Sequence, residues 1–186
     1  MPRKKALILT THYHTLHYEE FVKPIVSIIS KIAYEYDQIS IFEQPPSHTY
    51  LQQYDAIIIT GTSLQDMKYL DHLKKWKKPL STFKNTIIGI CAGMQVLASA
   101  HNIPLIKCKA VGVKKVKCLN KEFKVYDLHQ YSVKRTADIE VLCSHKCIEG
   151  FKVKNTFHFG FAFHPEVFTP QLLENLLLLN KPTQPF

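Results

Sequence analysis

Residues 86–96 read TIIGICAGMQV. A short run of β-branched residues enters Gly89-Ile90-Cys91-Ala92-Gly93, and the chain then takes on helical character. Cys91 thus stands on a strand-to-helix turn, with glycine two residues before it and two after. Such a nucleophile elbow is sharp and brings backbone from both sides close to the central residue, and glycine at the flanks removes the Cβ atoms that would clash. The side chain is then presented at the carboxyl end of a strand, where open α/β sheets bind ligands. The helix N-terminus beneath it carries a partial positive charge that suits an anionic sulfur. The amide of Ala92 is a candidate to hold an oxyanion. Taken alone, the segment also fits an ordinary buried cysteine beside a glycine-lined turn.

Working outward, the pattern alternates. Residues 5–10 (KALILT) form a short apolar run, as do residues 55–60 (DAIIIT), and a strand buried on both faces of a parallel sheet reads this way. Between them, residues 18–36 place Phe21, Ile25, Ile28, Ile29, Ile32 and Ala33 at helical spacing, and strand character returns over 38–42. A lysine-rich helical segment centred on 67–76 precedes the elbow, and a helix over 93–101 follows it, closed by Pro104. Alternation of this kind predicts an open, mostly parallel sheet with helices on both faces, flavodoxin-like in class. After Pro104, strands are expected over 105–118, 122–133, 139–143 and 155–163, as an antiparallel extension. A last helix is expected over 171–179. No repeat or linker interrupts the pattern, so one domain over residues 1–186 is expected.

Composition narrows the class. The chain has 186 residues, 46% of them hydrophobic, which suits one globular domain. No apolar run approaches the ~20 residues that span a bilayer, and no signal peptide is read, so the expected location is the cytoplasm. The five cysteines (91, 108, 118, 143 and 147) are an odd number in a chain able to build its own core, and free thiols are expected. The net charge of +9 gathers in stretches 68–78, 107–124 and 146–154. A solvated lysine surface accounts for it. No zinc-finger or RNA-binding signature accompanies it, so nucleic acid is a poor second partner.

A second chemical segment, residues 159–167 (FGFAFHPEV), supplies what a cysteine nucleophile needs. His164 can serve as the base and Glu166 as its orienting carboxylate. Pro165 holds His164 out of the helical region, and period-2 spacing in extended chain puts both side chains on one face. Two further groups, His12/His14/His17 and Cys143/His145/Cys147, offer ligand types that suit zinc. Neither has paired knuckle spacing, and no metal ligand is assigned.

GICAGMQ followed by FHPE, in that order, resembles the class I (triad) glutamine amidotransferase family and, within it, glutaminase subunits of the GMP synthetase kind. The resemblance runs from the first strand to the last helix. It implies a Cys91–His164–Glu166 triad that hydrolyses glutamine to glutamate and ammonia through a Cys91 thioester, without metal or organic cofactor. It also implies that Gln95 binds the substrate and that His129, in a segment YDLHQYSV similar to the family's S-H-x-D-x-V loop, lies near the site. The family's glycine-rich oxyanion turn reads Thr60-Gly61-Thr62-Ser63-Leu64 here, so Gly61 and a backbone N–H of Leu64 take that role. No G-x-x-x-x-G-K-[ST] loop for activating an ammonia acceptor is present. The implied partner is a separate synthetase. A stand-alone γ-glutamyl hydrolase of the same superfamily and a catalytically silent regulatory homologue remain as alternatives.

Overall fold

The structure, a computed structural model, describes residues 4–118 and 121–179. Five parallel strands form one wing of the sheet: β1 (Lys5–Thr10), β2 (Glu35–Ser40), β3 (Ala56–Ile59), β4 (Thr86–Ile90) and, later in the chain, β9 (His158–Phe161). The other wing is antiparallel: β5 (Leu105–Cys118), β6 (Lys121–Val133), β7 (Ile139–Ser144) and β8 (Ile148–Val153). Together they make a nine-stranded sheet in the order β2-β1-β3-β4-β9-β8-β7-β5-β6. The expected open α/β class with an antiparallel extension is what the chain adopts.

The apolar strands are continuous because both faces are covered. Ala6, Ile8, Ala56, Ile58, Ile88 and Ile90 point to one side. There they meet Val22, Ile25 and Ile29 of the first helical segment and Leu173, Leu176 and Leu177 of the last. Leu7, Leu9, Ile57, Ile59 and Ile87 point to the other side, against Leu51, Trp76, Leu80, Val96 and Leu97. The helices on the first side are α1 (His17–Phe21), α2 (Lys23–Lys31) and α7 (Pro170–Leu178). Those on the second are α3 (His48–Leu51), α4 (Leu73–Ser81, preceded by a 3-10 turn, Lys68–His72) and α5 (Ala92–Ala100). A four-residue helix, α6 (Pro165–Phe168), leads into α7.

Differences from the expected elements have local causes. The helix expected over 18–36 is split at Val22. Pro24 lacks an N–H and fits only the first turn of a new helix. The second piece ends where Ala33 takes a left-handed φ of 59°, so β2 starts earlier than expected. Strand β8 has no counterpart among the expected strands: Glu149 and Gly150 interrupt its apolar character, yet Glu149 is buried. Strand β9 is shorter than expected, because Thr156 turns the chain before it.

The expectation of free thiols is overturned for four cysteines. Cys108 is joined to Cys147 and Cys118 to Cys143, leaving Cys91 free. For the second pair the cause is strand register: Cys118 of β5 sits directly opposite Cys143 of β7. The Cys143/His145/Cys147 group is thereby divided between two cross-links. Among the described residues no helix is long and apolar enough to cross a membrane. Peptide mapping without reductant should recover Cys108 joined to Cys147 and Cys118 joined to Cys143, with Cys91 alone alkylated; recovery of five alkylated cysteines would overturn this pairing.

Candidate active site

Strand β4 delivers Cys91 to the top of the sheet in a strained backbone. Its φ of 51° and ψ of −105° lie where non-glycine residues rarely sit. Cys91 N–H donates to Phe161 O at 2.8 Å, and Gly93 N–H donates to Thr60 O at 3.0 Å, so neighbouring strands on both sides clamp the turn. Both flanking glycines are required by space. A Cβ on Gly89 would lie 2.5 Å from Gly93 O, and one on Gly93 would lie 2.6 Å from the carbonyl carbon of Ile59. Cys91 is buried, and its thiol donates to Leu128 O at 3.2 Å.

Strand β9 runs parallel to β4 and carries the chain past Phe163 to His164. His164 has extended backbone (φ −100°, ψ 90°) and leads into α6. Glu166 therefore reaches back from the first turn of a helix, not from the extended chain that period-2 spacing assumes. Nδ1 of His164 lies 2.7 Å from Glu166 Oε1. Phe21 and Tyr126 flank the imidazole, with ring centroids at 5.4 and 6.1 Å. His164 and Cys91 meet at Gly61: a Cβ placed there would stand 2.6 Å from His164 Cε1 and 3.3 Å from Cys91 Cβ.

Burial alone would push the His164 imidazole toward its neutral form. The Glu166 carboxylate and hydrogen bonding to Cys91 outweigh it and raise the ring well above 6.5. By strict geometry His164 Nε2 has no hydrogen-bond partner, and the thiol hydrogen is aimed at Leu128 O. That geometry describes the neutral thiol.

The cleft before Cys91 is narrow, about 10 Å³, and its walls include Leu64, Tyr69, Ala92, Gln95, Leu128 and Tyr131. Ala92 is the first residue of α5, where an N–H has no intrahelical acceptor. Gln95 is buried, with its Oε1 accepting from the Tyr69 hydroxyl at 2.7 Å. Leu64 lies in the wall, and its carbonyl accepts from Gln130 Nε2 at 2.7 Å. Gly61 underlies the His164 ring. His129 belongs to the wall, but its ring is turned elsewhere: Nδ1 donates to Cys108 O at 2.9 Å, and Nε2 faces Asp127 and Glu149. Its side chain is not aimed at the cysteine.

Several contributors carry no signal in the sequence. Thr11 Oγ1 donates toward Thr60 O (2.9 Å) and Gly61 O (3.0 Å), tying the end of β1 to the turn after β3. Buried Asp66 accepts from Tyr13 N (2.7 Å) and Thr62 Oγ1 (3.1 Å), with His17 Nδ1 at 3.5 Å. The histidines after β1 thus sit beside the turn, and His17 stacks edge-on to Phe21, which packs on His164. Leu128 contributes a carbonyl, so no side-chain pattern could have signalled it.

The class I glutamine amidotransferase family model matches residues 13–178. The chain belongs to that family. No curated protein matches it in sequence. Among solved structures it is similar to a GMP synthase subunit from Thermoplasma acidophilum, with TM-score 0.80 and 18% identity over 95% of this chain and 94% of that one. It is also similar to a glutamine amidotransferase from Thermotoga maritima, with TM-score 0.64 and 16% identity over 90% and 78% of the two chains. At these identities the likeness concerns the fold.

The close approach at Gly61 can be tested directly. Gly61→Ala should push the His164 ring out of place, lowering Cys91 reactivity toward a neutral alkylating agent by about 10²-fold. The accompanying loss of stability should be only about 1–3 kcal/mol; unchanged reactivity would show that the ring has room. A second test concerns pH. His164 has a raised folded pKa, so its stabilisation is full below 6.5 and is lost as pH rises through the folded value. The stability difference between the native chain and Glu166→Gln should be largest below 6.5 and shrink above it, as denaturant unfolding at a series of pH values would read. A difference that grows with pH would contradict the assignment.

Proposed function

We propose that the chain is a glutaminase that passes ammonia to a separate synthetase, and that residues 1–186 act as one such domain. The observation that carries this reading is the convergence of a strained-backbone cysteine with a carboxylate-held imidazole. In the proposed reaction His164 takes the Cys91 proton, and the sulfur attacks the γ-carbonyl carbon of glutamine. The carbonyl oxygen becomes an oxyanion facing the N–H groups of Ala92 and Leu64. As the tetrahedral intermediate collapses, the C–N bond breaks, His164 gives its proton to the departing nitrogen, and ammonia leaves a glutamyl thioester. Water then gives a proton to His164, adds to the thioester, and releases glutamate as the proton returns to sulfur. Glu166 holds the ring and offsets its positive charge throughout. In this reading Gln95, whose Oε1 accepts from Tyr69, binds the substrate glutamine.

A separate acceptor protein is supported by the likeness to a GMP synthase subunit. Exposed Lys107, Lys109, Lys115 and Lys117 along β5 offer a basic docking surface. The proposal carries a cytoplasmic location with it.

The test is treatment with an electrophilic glutamine analogue, followed by mass mapping. One adduct on Cys91, blocked by excess glutamine and absent in His164→Ala, is expected. No adduct, with or without the ATP-binding component of a GMP synthetase, would overturn the glutaminase reading. An adduct that glutamine fails to block but a larger γ-glutamyl amide does would transfer the chemistry to a γ-glutamyl hydrolase.

A further inference from the structure

Behind the cleft, on the opposite face of β6, three buried side chains converge. Asp127 and His129 alternate on that strand and so share a face, and Glu149 comes from β8. Each is about 1% exposed. His129 Nε2 lies 3.8 Å from Asp127 Oδ1 and 3.6 Å from Glu149 Oε2, and the three atoms all fall within 4.8 Å of one another. None of the three has a hydrogen-bond partner among the described residues.

The remaining polar atoms of the group are all engaged. Lys114 Nζ donates to the other oxygen of each carboxylate, Asp127 Oδ2 and, at 2.5 Å, Glu149 Oε1. His129 Nδ1 donates its hydrogen to Cys108 O at 2.9 Å. That bond leaves the lone pair of a neutral ring on Nε2. With the ring neutral, three acceptor atoms face one point; with both nitrogens protonated, Nε2 would instead donate toward the two carboxylates. Metal-binding histidines and carboxylates are oriented in this way, by a second hydrogen bond on the far atom of each ligand.

We propose that Asp127, His129 and Glu149 bind a divalent transition-metal ion of the zinc class. Bonds of about 2.0–2.2 Å in a tetrahedral arrangement place ligand atoms roughly 3.3–3.6 Å apart, so the two histidine–carboxylate spacings need to close by a few tenths of an ångström at most, while the two carboxylate oxygens, within 4.8 Å of each other, must draw together further. An imidazole with two carboxylates suits zinc and its first-row neighbours better than magnesium or calcium, which prefer all-oxygen shells. A cavity of about 280 Å³, whose walls include Ala110, Gly112, Asp127, His145 and Glu149, adjoins the two carboxylates. The ion braces the stretch of β6 whose Leu128 carbonyl meets the Cys91 thiol, so it acts as a positioning element for the cleft wall. The site does not depend on the glutaminase reading.

The test is calorimetric titration of the untagged, chelator-treated chain with zinc chloride, with thermal unfolding measured in parallel. One equivalent should bind and raise the Tm. Affinity should fall by more than about tenfold in Glu149→Gln and in His129→Gln and stay unchanged in His14→Ala, which samples the other histidine group. X-ray absorption of the loaded chain should show a nitrogen and oxygen shell without sulfur. Failure of the native chain to bind, binding unaffected by Glu149→Gln while that variant keeps its fold, or an NMR spectrum with His129 protonated on both nitrogens in the zinc-treated protein would each overturn the proposal.

Discussion

Three backbones crowd together under Cys91. The carbonyl end of β3, the turn after β4 and the first turn of α5 approach so closely that no Cβ fits at Gly89 or Gly93. The closeness is what holds Cys91 at positive φ, because neither the strand nor the helix can slide to relieve it. Gly93 N–H to Thr60 O and Cys91 N–H to Phe161 O lock the turn from both sides. Such strain costs of order 1–3 kcal/mol, and the buried cores on the two faces of the sheet supply the rigidity that sustains it.

Strand order then decides what the cysteine can meet. Because β9 lies beside β4 and runs parallel to it, the chain leaving β9 emerges at the same end of the sheet as Cys91. His164 follows at once, and Pro165 starts the short helix that turns Glu166 back onto the ring. Strand β6 completes the surroundings without pairing to β4. Its Tyr126 carbonyl accepts from His164 N–H at 2.8 Å, and its Leu128 carbonyl faces the thiol. The same strand sends Asp127 and His129 to its other side, so one period-2 alternation serves two chemical environments.

Much of this was legible because burial leaves its mark on composition. The continuous apolar runs at 6–9, 56–59 and 87–90 reflect strands covered on both faces, and the elbow glycines reflect contacts that admit no side chain. Other features left no such mark. The β8 strand hides behind Glu149, whose burial depends on Lys114 from another strand and on no local pattern. The Cys118–Cys143 disulfide depends on the register of β5 against β7, which spacing along the chain does not encode. His129 was expected near the site because its segment resembles the family's S-H-x-D-x-V loop. Alternation along β6 turns its ring away while leaving its backbone in the cleft wall.

The turn after β3 illustrates how one physical requirement can be met by different residues. Only Gly61 of the expected glycines is present, and it stands where His164 packs, at the one position whose Cβ would collide with the ring. Thr62, Ser63 and Leu64 need no glycine: among the described residues, positive φ outside glycine is confined to Ala33, Cys91, Asn102 and Asn155. Shape here comes from side-chain hydrogen bonds. Thr11 holds the carbonyls of Thr60 and Gly61, Asp66 holds Thr62, and Gln130 reaches across from β6 to Leu64. A turn built from glycine gains its geometry from backbone freedom and must be ordered by what binds it. This one is ordered in advance by four polar contacts, and the Gln130 contact makes the position of Leu64 depend on β6, the strand that also carries the Leu128 carbonyl and the Asp127–His129 pair.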